Sequence, residues 1–310
     1  MDNRIYDMIV VGGGPGGYTA ALYAARAGLD VAVLEKLSAG GQMAMSQQID
    51  NYPGFEEGID GFTLAEKMQA QAERFGAVTE YAEVSKIDLT SNPKVIESSE
   101  GTFYGKTVVI STGATNRELG VENEQELVGR GVAYCAACDG MFFKDMDVVI
   151  VGGGNSAVAD ALVLSRIAKK VTMVHRRDTL RATLVYHNQL MNTENIEIRW
   201  NSAVSELLYD DELTGVVLKN VNTGEESLVA CQGLFISVGR IPATELVRGQ
   251  LELDSSGYIV ADETTRTNIP GVFAVGDVRT KRLRQVVTAV ADGAVAVHAA
   301  EEYLSGEAAR

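Results

Sequence analysis

A glycine-rich turn occurs twice in this sequence, and each copy follows a short apolar segment. The first apolar segment is residues 5–11, which leads into the turn Gly12-Gly13-Gly14-Pro15-Gly16-Gly17. The second is residues 148–151, which leads into Gly152-Gly153-Gly154-Asn155-Ser156-Ala157. A helix-forming stretch and another apolar segment follow each turn, so the chain repeats the order strand, turn, helix, strand. We predict an α/β protein with two Rossmann-like nucleotide-binding domains.

Three glycines and one acid give the first turn the features of a dinucleotide site. Gly12 permits the tight turn, Gly14 lets the backbone approach a pyrophosphate, and Gly17 lets the helix pack close to the strand. The phosphates are expected at the helix N-terminus, where free N–H groups and the helix dipole favour negative charge. The second strand ends at Glu35, a carboxylate that can accept hydrogen bonds from an adenosine ribose. The first site is therefore predicted to bind a ribose that carries no phosphate.

The second turn differs from the first in the charge that follows it. Gly12 to Glu35 spans 23 positions, and Gly152 to His175 spans the same 23. At this point the second copy has His175-Arg176-Arg177, with Arg181 close behind. A carboxylate would repel a 2′-phosphate, whereas guanidinium groups bind one bidentately. The second site is therefore predicted to bind NADPH, and the alternative is a solvated basic corner without a ligand.

A pair of cysteines, Cys135 and Cys138, is followed directly by Asp139. Their spacing can close a small disulfide, and in such motifs the pKa of a thiol can fall from about 8.5 to roughly 3.5–7.5. A thiolate is then available for disulfide exchange, and Asp139 can carry the proton. Half of a zinc site and an inert disulfide are the alternatives, although a structural zinc site needs four ligands. The third cysteine, Cys231, is interpreted as a small packing residue.

The first copy is incomplete without the C-terminal part of the chain. Residues 270–277 are predicted to form a strand that ends in Gly276-Asp277, an acid of the kind that holds a ribityl hydroxyl in flavin sites. An apolar helix is expected from Val286 to Leu304. We therefore predict that the second domain, residues 117–241, is inserted into a discontinuous first domain of residues 1–116 and 242–310.

The composition limits the partners and the location of the protein. The net charge of −15 argues against nucleic acid, whose phosphates would be repelled. No apolar run approaches the roughly eighteen residues of a membrane span, and Met1-Asp2-Asn3-Arg4 does not have the layout of a signal peptide. With three cysteines, a reducing cytoplasm is expected, where a pair of this spacing is more often catalytic than structural.

Four motifs occur together in the order found in bacterial low-molecular-weight thioredoxin reductases. They are the glycine turn with Glu35, the box Cys135-Ala136-Ala137-Cys138-Asp139-Gly140, the string from His175 to Ala182, and the segment Gly276-Asp277. The chain resembles this family over essentially its whole length. The resemblance implies FAD in the first domain, NADPH in the second, a homodimer, and electron transfer from NADPH through FAD and the cysteine pair to oxidised thioredoxin.

The motifs and the resemblance together assign cofactor contacts to numbered positions. The residues expected to bind FAD are Gly12, Gly14, Pro15, Gly17, Glu35, Gly41, Gln42, Asn51, Thr112, Gly113, Gly276, Asp277, Arg284 and Gln285. The residues expected to bind NADPH are Gly152, Gly154, Asn155, Ser156, Ala157, His175, Arg176, Arg177 and Arg181. No residue is expected to bind a metal.

The resemblance also implies roles for the residues of the cysteine box. Cys138 is implied to face the flavin, Cys135 to exchange with thioredoxin, and Asp139 to act as acid and base.

A thioredoxin-like protein is expected to dock near Arg130, Met141 and Phe142, although a buried loop anchor is an equally good interpretation of Phe142. The alternative functions are a reductase for another thioredoxin-like or peroxidase-linked disulfide protein, and a dithiol oxidase that uses oxygen. A non-enzymatic redox sensor is the rival outside enzyme chemistry.

Overall fold

The computed structural model describes residues 4–46 and 48–306, apart from the side chains of Val185 and Tyr186. The chain forms two compact units: residues 1–115 with 241–310 make up the first, and residues 116–240 make up the second. The chain therefore leaves the first unit, builds the second, and returns to finish the first. Among the described residues, no helix is long and apolar enough to cross a membrane.

The N-terminal part of the first unit alternates strands and helices and then forms a meander of short strands. In chain order its elements are β1 (Ile5–Val11), α1 (Pro15–Arg26), β2 (Val31–Glu35), α2 (Gly61–Arg74), β3 (Val78–Tyr81), β4 (Val84–Asp88), β5 (Lys94–Ser98), β6 (Gly101–Ile110) and β7 (Ala114–Asn116).

The second unit follows, and the chain then returns to the first. The elements of the second unit are β8 (Val132–Ala133), α3 (Ala136–Asp139), β9 (Asp147–Val151), α4 (Asn155–Leu164), β10 (Lys170–Val174), α5 (Leu184–Met191), β11 (Ile196–Arg199), β12 (Ser202–Tyr209), β13 (Leu213–Asn220), β14 (Glu226–Ala230) and β15 (Gly233–Ile236). The returning segment contains β16 (Arg240–Pro242), β17 (Val272–Ala274) and α6 (Val286–Ser305).

Each unit is built on a parallel sheet with the same strand order. In the first unit the order β3-β2-β1-β6 continues into β17, which pairs in parallel with the end of β6. In the second unit the order is β11-β10-β9-β15-β8. Each unit also has antiparallel strands, β4-β5-β6 in the first and β12-β13-β14 in the second. The predicted fold class is confirmed, and the repeat in the sequence corresponds to a repeat in sheet topology.

The central strand of each sheet is apolar on both faces because both faces are covered. In β1, Met8 and Val10 belong to one buried cluster, while Ile9 and Val11 belong to another. In β9, side chains alternate in the same way between the two buried clusters of the second unit. This two-sided burial explains why residues 8–11 and 148–151 are continuous apolar runs in the sequence.

The helix that follows the second glycine turn is shorter than the sequence indicates. Its apolar pattern extends to about Ala168, but α4 ends at Leu164. The side-chain amide of Asn195 donates to the carbonyl oxygens of Ser165 (2.8 Å) and Ala168 (3.2 Å). These bonds satisfy carbonyls that a helix end would otherwise leave without partners. A residue 30 positions away therefore fixes this end.

A close helix contact joins the C-terminal segment to the first glycine turn. A Cβ at Gly293 in α6 would lie 2.4 Å from the carbonyl oxygen of Gly16 and 2.8 Å from the backbone nitrogen of Ala20. Both atoms belong to the backbone of α1, which cannot move away as the end of a flexible side chain can. Only glycine at this position lets α6 reach α1 at this distance.

We predict that Gly293→Ala destabilises the protein even though alanine is the better helix former. Helix propensity alone would favour alanine by about 1 kcal/mol. Overpacking costs about 1–3 kcal/mol, and contacts of 2.4 and 2.8 Å with backbone atoms place this substitution in the upper part of that range. After the gain in helix propensity, the unfolding free energy should fall by roughly 1–2 kcal/mol. Chemical denaturation measures the change.

Val295→Ile is the matched control for this substitution. It adds one carbon to the same helix at a side chain that is 38% exposed, so a change within about 0.5 kcal/mol is expected. A Gly293→Ala variant as stable as the unchanged protein would contradict the packing argument.

Candidate functional site

The first glycine turn has glycine where side chains cannot fit and open space where a ligand can approach. Gly12 has φ +102°, and a Cβ there would lie 2.4 Å from the carbonyl oxygen of Ser111 in the segment after β6. A Cβ at Gly17 would lie 2.1 Å from the carbonyl oxygen of Gly12. A Cβ at Gly14 would have no atom within 4 Å, so the backbone there is open to a ligand.

The acid at the end of β2 is held against this turn. The backbone N–H of Gly13 donates to Glu35 Oε2 at 2.6 Å, and the N–H of Lys36 donates to Oε1 at 2.9 Å. Each carboxylate oxygen has further lone pairs, so the group can still accept hydrogen bonds from a ribose. At the start of α1, Gly14 occupies the N-cap and no side chain caps the helix. The turn therefore offers N–H donors and an acceptor together.

The returning segment brings Gly276 beside the first turn. A Cβ at Gly16 would lie 3.1 Å from the Val275 side chain and 3.5 Å from the backbone nitrogen of Gly276. Gly276 itself has φ +73° and begins a short 3₁₀ turn that includes Asp277. The sequence predicts that Asp277 belongs with the first glycine turn. The position of Gly276, the residue before it, is consistent with that prediction.

Residues far apart in the chain meet at the start of α6. The amide of Asn51 donates to Gln285 Oε1 at 3.1 Å across 234 positions. The Arg284 guanidinium lies 3.9 Å from the ring centre of Tyr258 and donates to the carbonyl oxygen of Asp277 at 3.3 Å. Four of the residues that the resemblance assigns to FAD thus form one connected cluster.

The remaining residues expected to bind FAD lie on loops of the same unit. Gly40 donates its N–H to the carbonyl oxygen of Gly13 at 2.7 Å, which attaches the turn beginning at Gly41-Gln42 to the first glycine turn. Thr112 Oγ1 donates to the carbonyl oxygen of Ala243 at 2.6 Å, and Gly113 has φ +73°. Pro15 is the first residue of α1, where its missing N–H costs nothing.

The second glycine turn repeats the geometry of the first. A Cβ at Gly152 would lie 2.4 Å from the carbonyl oxygen of Ser237, the same distance as for Gly12 and Ser111. Gly154 is open, like Gly14, and no side chain caps the start of α4. Ala157, fully buried, stands where the first turn has its last glycine. Ser156 is exposed at the first turn of the helix.

His175 packs inside the second unit against the glycine turn. A Cβ at Gly153 would lie 2.2 Å from His175 Cε1, and the ring nitrogen Nε2 lies 3.0 Å from the carbonyl oxygen of Thr179. Burial lowers the pKa of His175, and the neighbouring arginine charges lower it further. A neutral imidazole therefore occupies the position where the first copy has a carboxylate.

The loop after His175 is bonded directly to the glycine turn. The backbone N–H of Arg181 donates to the carbonyl oxygen of Gly153 at 2.7 Å, and the N–H of Thr183 donates to Asn155 Oδ1 at 2.8 Å. The sequence predicts a helical segment over 179–192, but these bonds use backbone groups that a helix would need, so α5 begins only at Leu184. The side chain of Asn155 positions the loop.

Three arginines beside this turn are available to a ligand. Arg176, Arg177 and Arg181 are exposed. None of their guanidinium groups takes part in an ion pair or side-chain hydrogen bond with the described residues. In a chain with a net charge of −15, three uncompensated cations within one loop favour an anionic ligand there.

The two cysteines of the box form a disulfide. Cys135 and Cys138 are bonded, with their Cα atoms 5.2 Å apart. Cys135 is the N-cap of the one-turn helix α3, and the backbone N–H of Cys138 donates to its sulfur at 3.2 Å. The pair is partly exposed, whereas Cys231 is buried and its thiol has a pKa raised to about 12 by burial. The interpretation of Cys231 as a packing residue is confirmed.

Asp139 has the protonation behaviour that proton transfer near neutral pH requires. Burial raises the pKa of its carboxyl group to about 6 from an ordinary value of 3.8. Both forms of the group are therefore populated near pH 6–7, which suits an acid or base for thiol chemistry. The residue follows Cys138 directly at the end of α3.

A buried carboxylate beside the cysteine pair was not found from the sequence. Glu124 is 3% exposed and accepts hydrogen bonds from the hydroxyl of Tyr134 at 2.7 Å and from the N–H of Gly120 at 2.8 Å. Tyr134 directly precedes Cys135, so this bond anchors the link between β8 and α3 that carries the first sulfur. Burial and the neighbouring carboxylate raise the pKa of Tyr134. Glu124 lies in an acidic stretch of the chain, and nothing in its local pattern separates it from solvated neighbours.

The surface around the cysteine box carries exposed apolar side chains. Met141 and Phe142 are 62% and 52% exposed, so the alternative interpretation of Phe142 as a buried anchor is wrong. The exposed Arg130 donates through its guanidinium to the carbonyl oxygen of Asp211.

Comparison with known proteins agrees with these observations. A sequence profile of the family described as pyridine nucleotide-disulphide oxidoreductase matches residues 6–293. A thioredoxin reductase of Streptomyces clavuligerus is 47% identical over 97% of this chain and 94% of its own length. A thioredoxin reductase of Listeria monocytogenes is 44% identical over 98% and 95% of the two chains. The crystal structure of thioredoxin reductase from Streptococcus pyogenes is 44% identical, has a TM-score of 0.91, and covers 98% of this chain and 100% of that one.

We predict that Asp139→Asn makes the oxidised protein more stable above pH 6. The folded state binds the Asp139 proton more tightly than an unfolded chain does, because the pKa rises from 3.8 to about 6 on folding. The unfolding free energy therefore falls as pH rises from about 4 to about 6 and stays low above that range. Since the side chain is partly exposed, the gain from asparagine at pH 7.5 should be on the order of 1–2 kcal/mol.

Thermal unfolding at pH 4.5 and pH 7.5 measures this effect. Asp210→Asn, an exposed site in the same unit, serves as the control and should leave the difference between the two pH values unchanged. If the unchanged protein and Asp139→Asn show the same pH dependence, Asp139 does not titrate in this range. Turnover by Asp139→Asn, measured on a disulfide substrate, should fall by about a hundredfold because the amide cannot carry a proton.

Proposed function

The chain belongs to the pyridine nucleotide-disulphide oxidoreductase family, and we propose that it passes two electrons from NADPH through FAD and the Cys135–Cys138 pair to oxidised thioredoxin. The observation that carries this proposal is a disulfide of the expected pair in a chain that is 44–47% identical to thioredoxin reductases over nearly its full length. Thioredoxin reductases of this family use FAD and NADPH.

FAD is proposed to bind the first unit, and the residues there fit it. The open backbone at Gly14 and the uncapped start of α1 suit a pyrophosphate. Glu35 is proposed to accept the ribose hydroxyls, and Asp277 is proposed to hold the ribityl chain. Asn51 and Gln285, which bond to each other, are proposed to line the flavin.

NADPH is proposed to bind the second unit. Open space beside Gly154 and the uncapped start of α4 give it the same phosphate site as the first unit. Arg176, Arg177 and Arg181 are proposed to bind the 2′-phosphate. His175, which is buried and neutral, supports the turn without repelling the phosphate as a carboxylate would.

The disulfide is the group that this chain contributes to electron transfer. When bound in the first unit, FAD would supply the disulfide with two electrons that come from NADPH. In the disulfide form the N–H of Cys138 donates to the sulfur of Cys135, and we propose that the same N–H stabilises a Cys135 thiolate after reduction. We therefore propose that Cys135 attacks thioredoxin and that Cys138 receives electrons from the flavin.

The exchange proceeds in two displacements at sulfur. The Cys135 thiolate attacks one sulfur of the thioredoxin disulfide, forms a mixed disulfide and releases the first thioredoxin thiolate. Asp139 then takes the proton of the Cys138 thiol, and the resulting thiolate attacks the Cys135 sulfur. This second step restores the Cys135–Cys138 disulfide and releases the second thioredoxin thiolate, to which Asp139 can return the proton.

Further aspects of the proposal concern the partner and the assembly. Thioredoxin is proposed to dock on Arg130, Met141 and Phe142, which are exposed next to the cysteine box. A homodimer and a cytoplasmic location are proposed from the family resemblance.

The three uncompensated arginines argue against an oxidase that uses oxygen, since such an enzyme has no need of a 2′-phosphate site.

We predict different outcomes for serine at the two cysteines. Both Cys135→Ser and Cys138→Ser should lose thioredoxin-dependent NADPH oxidation by at least about a hundredfold, while NADPH should still bleach the flavin absorbance. In Cys138→Ser the remaining Cys135 should form a mixed disulfide with thioredoxin that cannot be resolved and that survives on a non-reducing gel. Cys135→Ser should form none.

Cys231→Ala is the control for the cysteine variants because that thiol is buried away from exchange. It should keep turnover within about twofold. A covalent complex with Cys135→Ser in place of Cys138→Ser would reverse the two roles. Oxygen consumption by the unchanged protein that matched its NADPH oxidation without thioredoxin would favour an oxidase.

We predict that Arg176→Ala or Arg181→Ala discriminates between the two nicotinamide nucleotides. Each charge-assisted bond to a phosphate contributes about 1.5–3 kcal/mol, so the KM for NADPH should rise at least about tenfold. Activity with NADH should be nearly unchanged, because NADH lacks the 2′-phosphate.

Arg166→Ala is the matched control, an exposed arginine just beyond the end of α4 in the same unit. It should leave the KM for NADPH within about twofold. Equal losses with NADPH and NADH in the Arg176 and Arg181 variants would mean that these residues serve the structure of the loop.

A further inference from the structure

A buried cluster of three charges lies beneath the turn that begins at Gly276. Asp292, on α6, is 8% exposed at its side chain, and Arg279 and Lys281 are 9% and 7% exposed. Arg279 donates to Asp292 Oδ1 from Nη2 at 2.8 Å and to Oδ2 from Nε at 3.0 Å. Lys281 Nζ donates to Oδ2 at 2.7 Å. The carboxylate is thus held by two cations at once.

The same carboxylate holds the backbone of the turn. The N–H of Gly276 donates to Asp292 Oδ2 at 2.8 Å. Gly276 has φ +73°, and Asp277 follows it. The backbone N–H of Gly276 is buried with the cluster, so without Asp292 it would lose an acceptor that water cannot easily replace.

The cations fix Asp292, and further bonds fix the cations. Arg279 Nη1 donates to the carbonyl oxygen of Thr280 at 2.9 Å, and Lys281 Nζ donates to that of Thr288 at 3.2 Å. Burial opposes the charged form of Asp292, but its bonds to Arg279 and Lys281 outweigh burial, and the pKa of the carboxyl group is lowered. The carboxylate therefore stays charged at neutral pH, with all its bonds directed by buried partners.

We infer that Asp292 is a positioning residue for FAD, which acts through the N–H of Gly276. This inference rests on the proposed function, in which Asp277 holds the ribityl chain of FAD. Gly276 also lies beside the first glycine turn, since a Cβ at Gly16 would lie 3.5 Å from its nitrogen. Asp292 thus sets the position of Gly276, which lies between Asp277, proposed to hold the ribityl chain, and the first glycine turn, proposed to hold the phosphates.

The test distinguishes the effect of losing the hydrogen-bond acceptor for the Gly276 N–H from the effect of losing the three charges. Two triple variants carry Arg279→Met and Lys281→Met, one together with Asp292→Asn and the other with Asp292→Leu. Both remove all three charges, and replacement of buried ion pairs by uncharged groups of similar size is often tolerated. Asparagine keeps an oxygen that can accept from Gly276, while leucine has a similar shape without an acceptor.

The rate of FAD release from each holoprotein, followed by flavin fluorescence, is the main measurement. The asparagine variant should release FAD within about threefold of the unchanged protein, and the leucine variant about tenfold faster than the asparagine variant. Thermal unfolding of the two variants should be similar, because burial of the apolar leucine side chain offsets the hydrogen bond that it cannot make. A residue that only supports the fold would change the rate of FAD release and the thermal unfolding together. A change in the release rate without a change in unfolding therefore supports a positioning role.

Equal release rates for the two triple variants would overturn the inference. If the leucine variant does not fold, hydrogen exchange of the peptide containing Gly276 decides, measured in the asparagine variant and in the unchanged protein. Slow exchange in both supports the role of the acceptor, and fast exchange in the asparagine variant contradicts it. If the unchanged protein bound no FAD at all, the proposed function would fail before this inference was reached.

Discussion

Both halves of this protein depend on one contact, in which a glycine backbone lies against a carbonyl oxygen of the neighbouring strand's end. A Cβ at Gly12 would lie 2.4 Å from Ser111 O, and a Cβ at Gly152 would lie 2.4 Å from Ser237 O. The contact lets the chain turn sharply at the end of the central strand and begin a helix at once. The uncapped helix start then lies at the carboxyl edge of the parallel sheet, which is where ligands bind in open α/β sheets. Any side chain at either glycine would push the helix away from this edge.

We propose that one position gives the same scaffold two ligand preferences, namely Glu35 at the end of β2 and His175 directly after β10. Glu35 in the first unit is hydrogen-bonded to Gly13 and keeps lone pairs for ribose hydroxyls. His175 in the second unit is buried against Gly153, and burial lowers its pKa. A negative charge at this position would exclude a 2′-phosphate, and a neutral ring does not. The arginines that follow are proposed to supply the attraction. The proposed preference then combines repulsion of a 2′-phosphate by Glu35 in the first unit with attraction of a 2′-phosphate by the arginines in the second.

The sequence predicts the repeated features well because they depend on local chemistry. The glycine turns, the cysteine box and the arginine loop are contiguous motifs whose spacing limits their geometry, and the fold class follows from their order. The start of α5 and the roles of Glu124 and Asp292 could not be obtained in this way, because each depends on a partner that only tertiary structure supplies. Asp292 does leave a signal, since it is the single acidic residue between Val286 and Ala300 in an otherwise apolar helix. A lone charge in such a helix is expected to be paired.

Two groups of cations in this acidic chain differ in burial and in the partners they have. Arg279 and Lys281 are almost fully buried, and removing two charges from water is costly unless a carboxylate compensates them. They are therefore bonded to Asp292 and serve the shape of the turn. The arginines at 176, 177 and 181 are exposed, where water stabilises a lone guanidinium and no carboxylate is needed. Because no residue in the described part of the chain forms an ion pair with them, their charge remains available to a phosphate. The degree of burial thus separates the cations that hold the turn at Gly276 from those proposed to select the nucleotide.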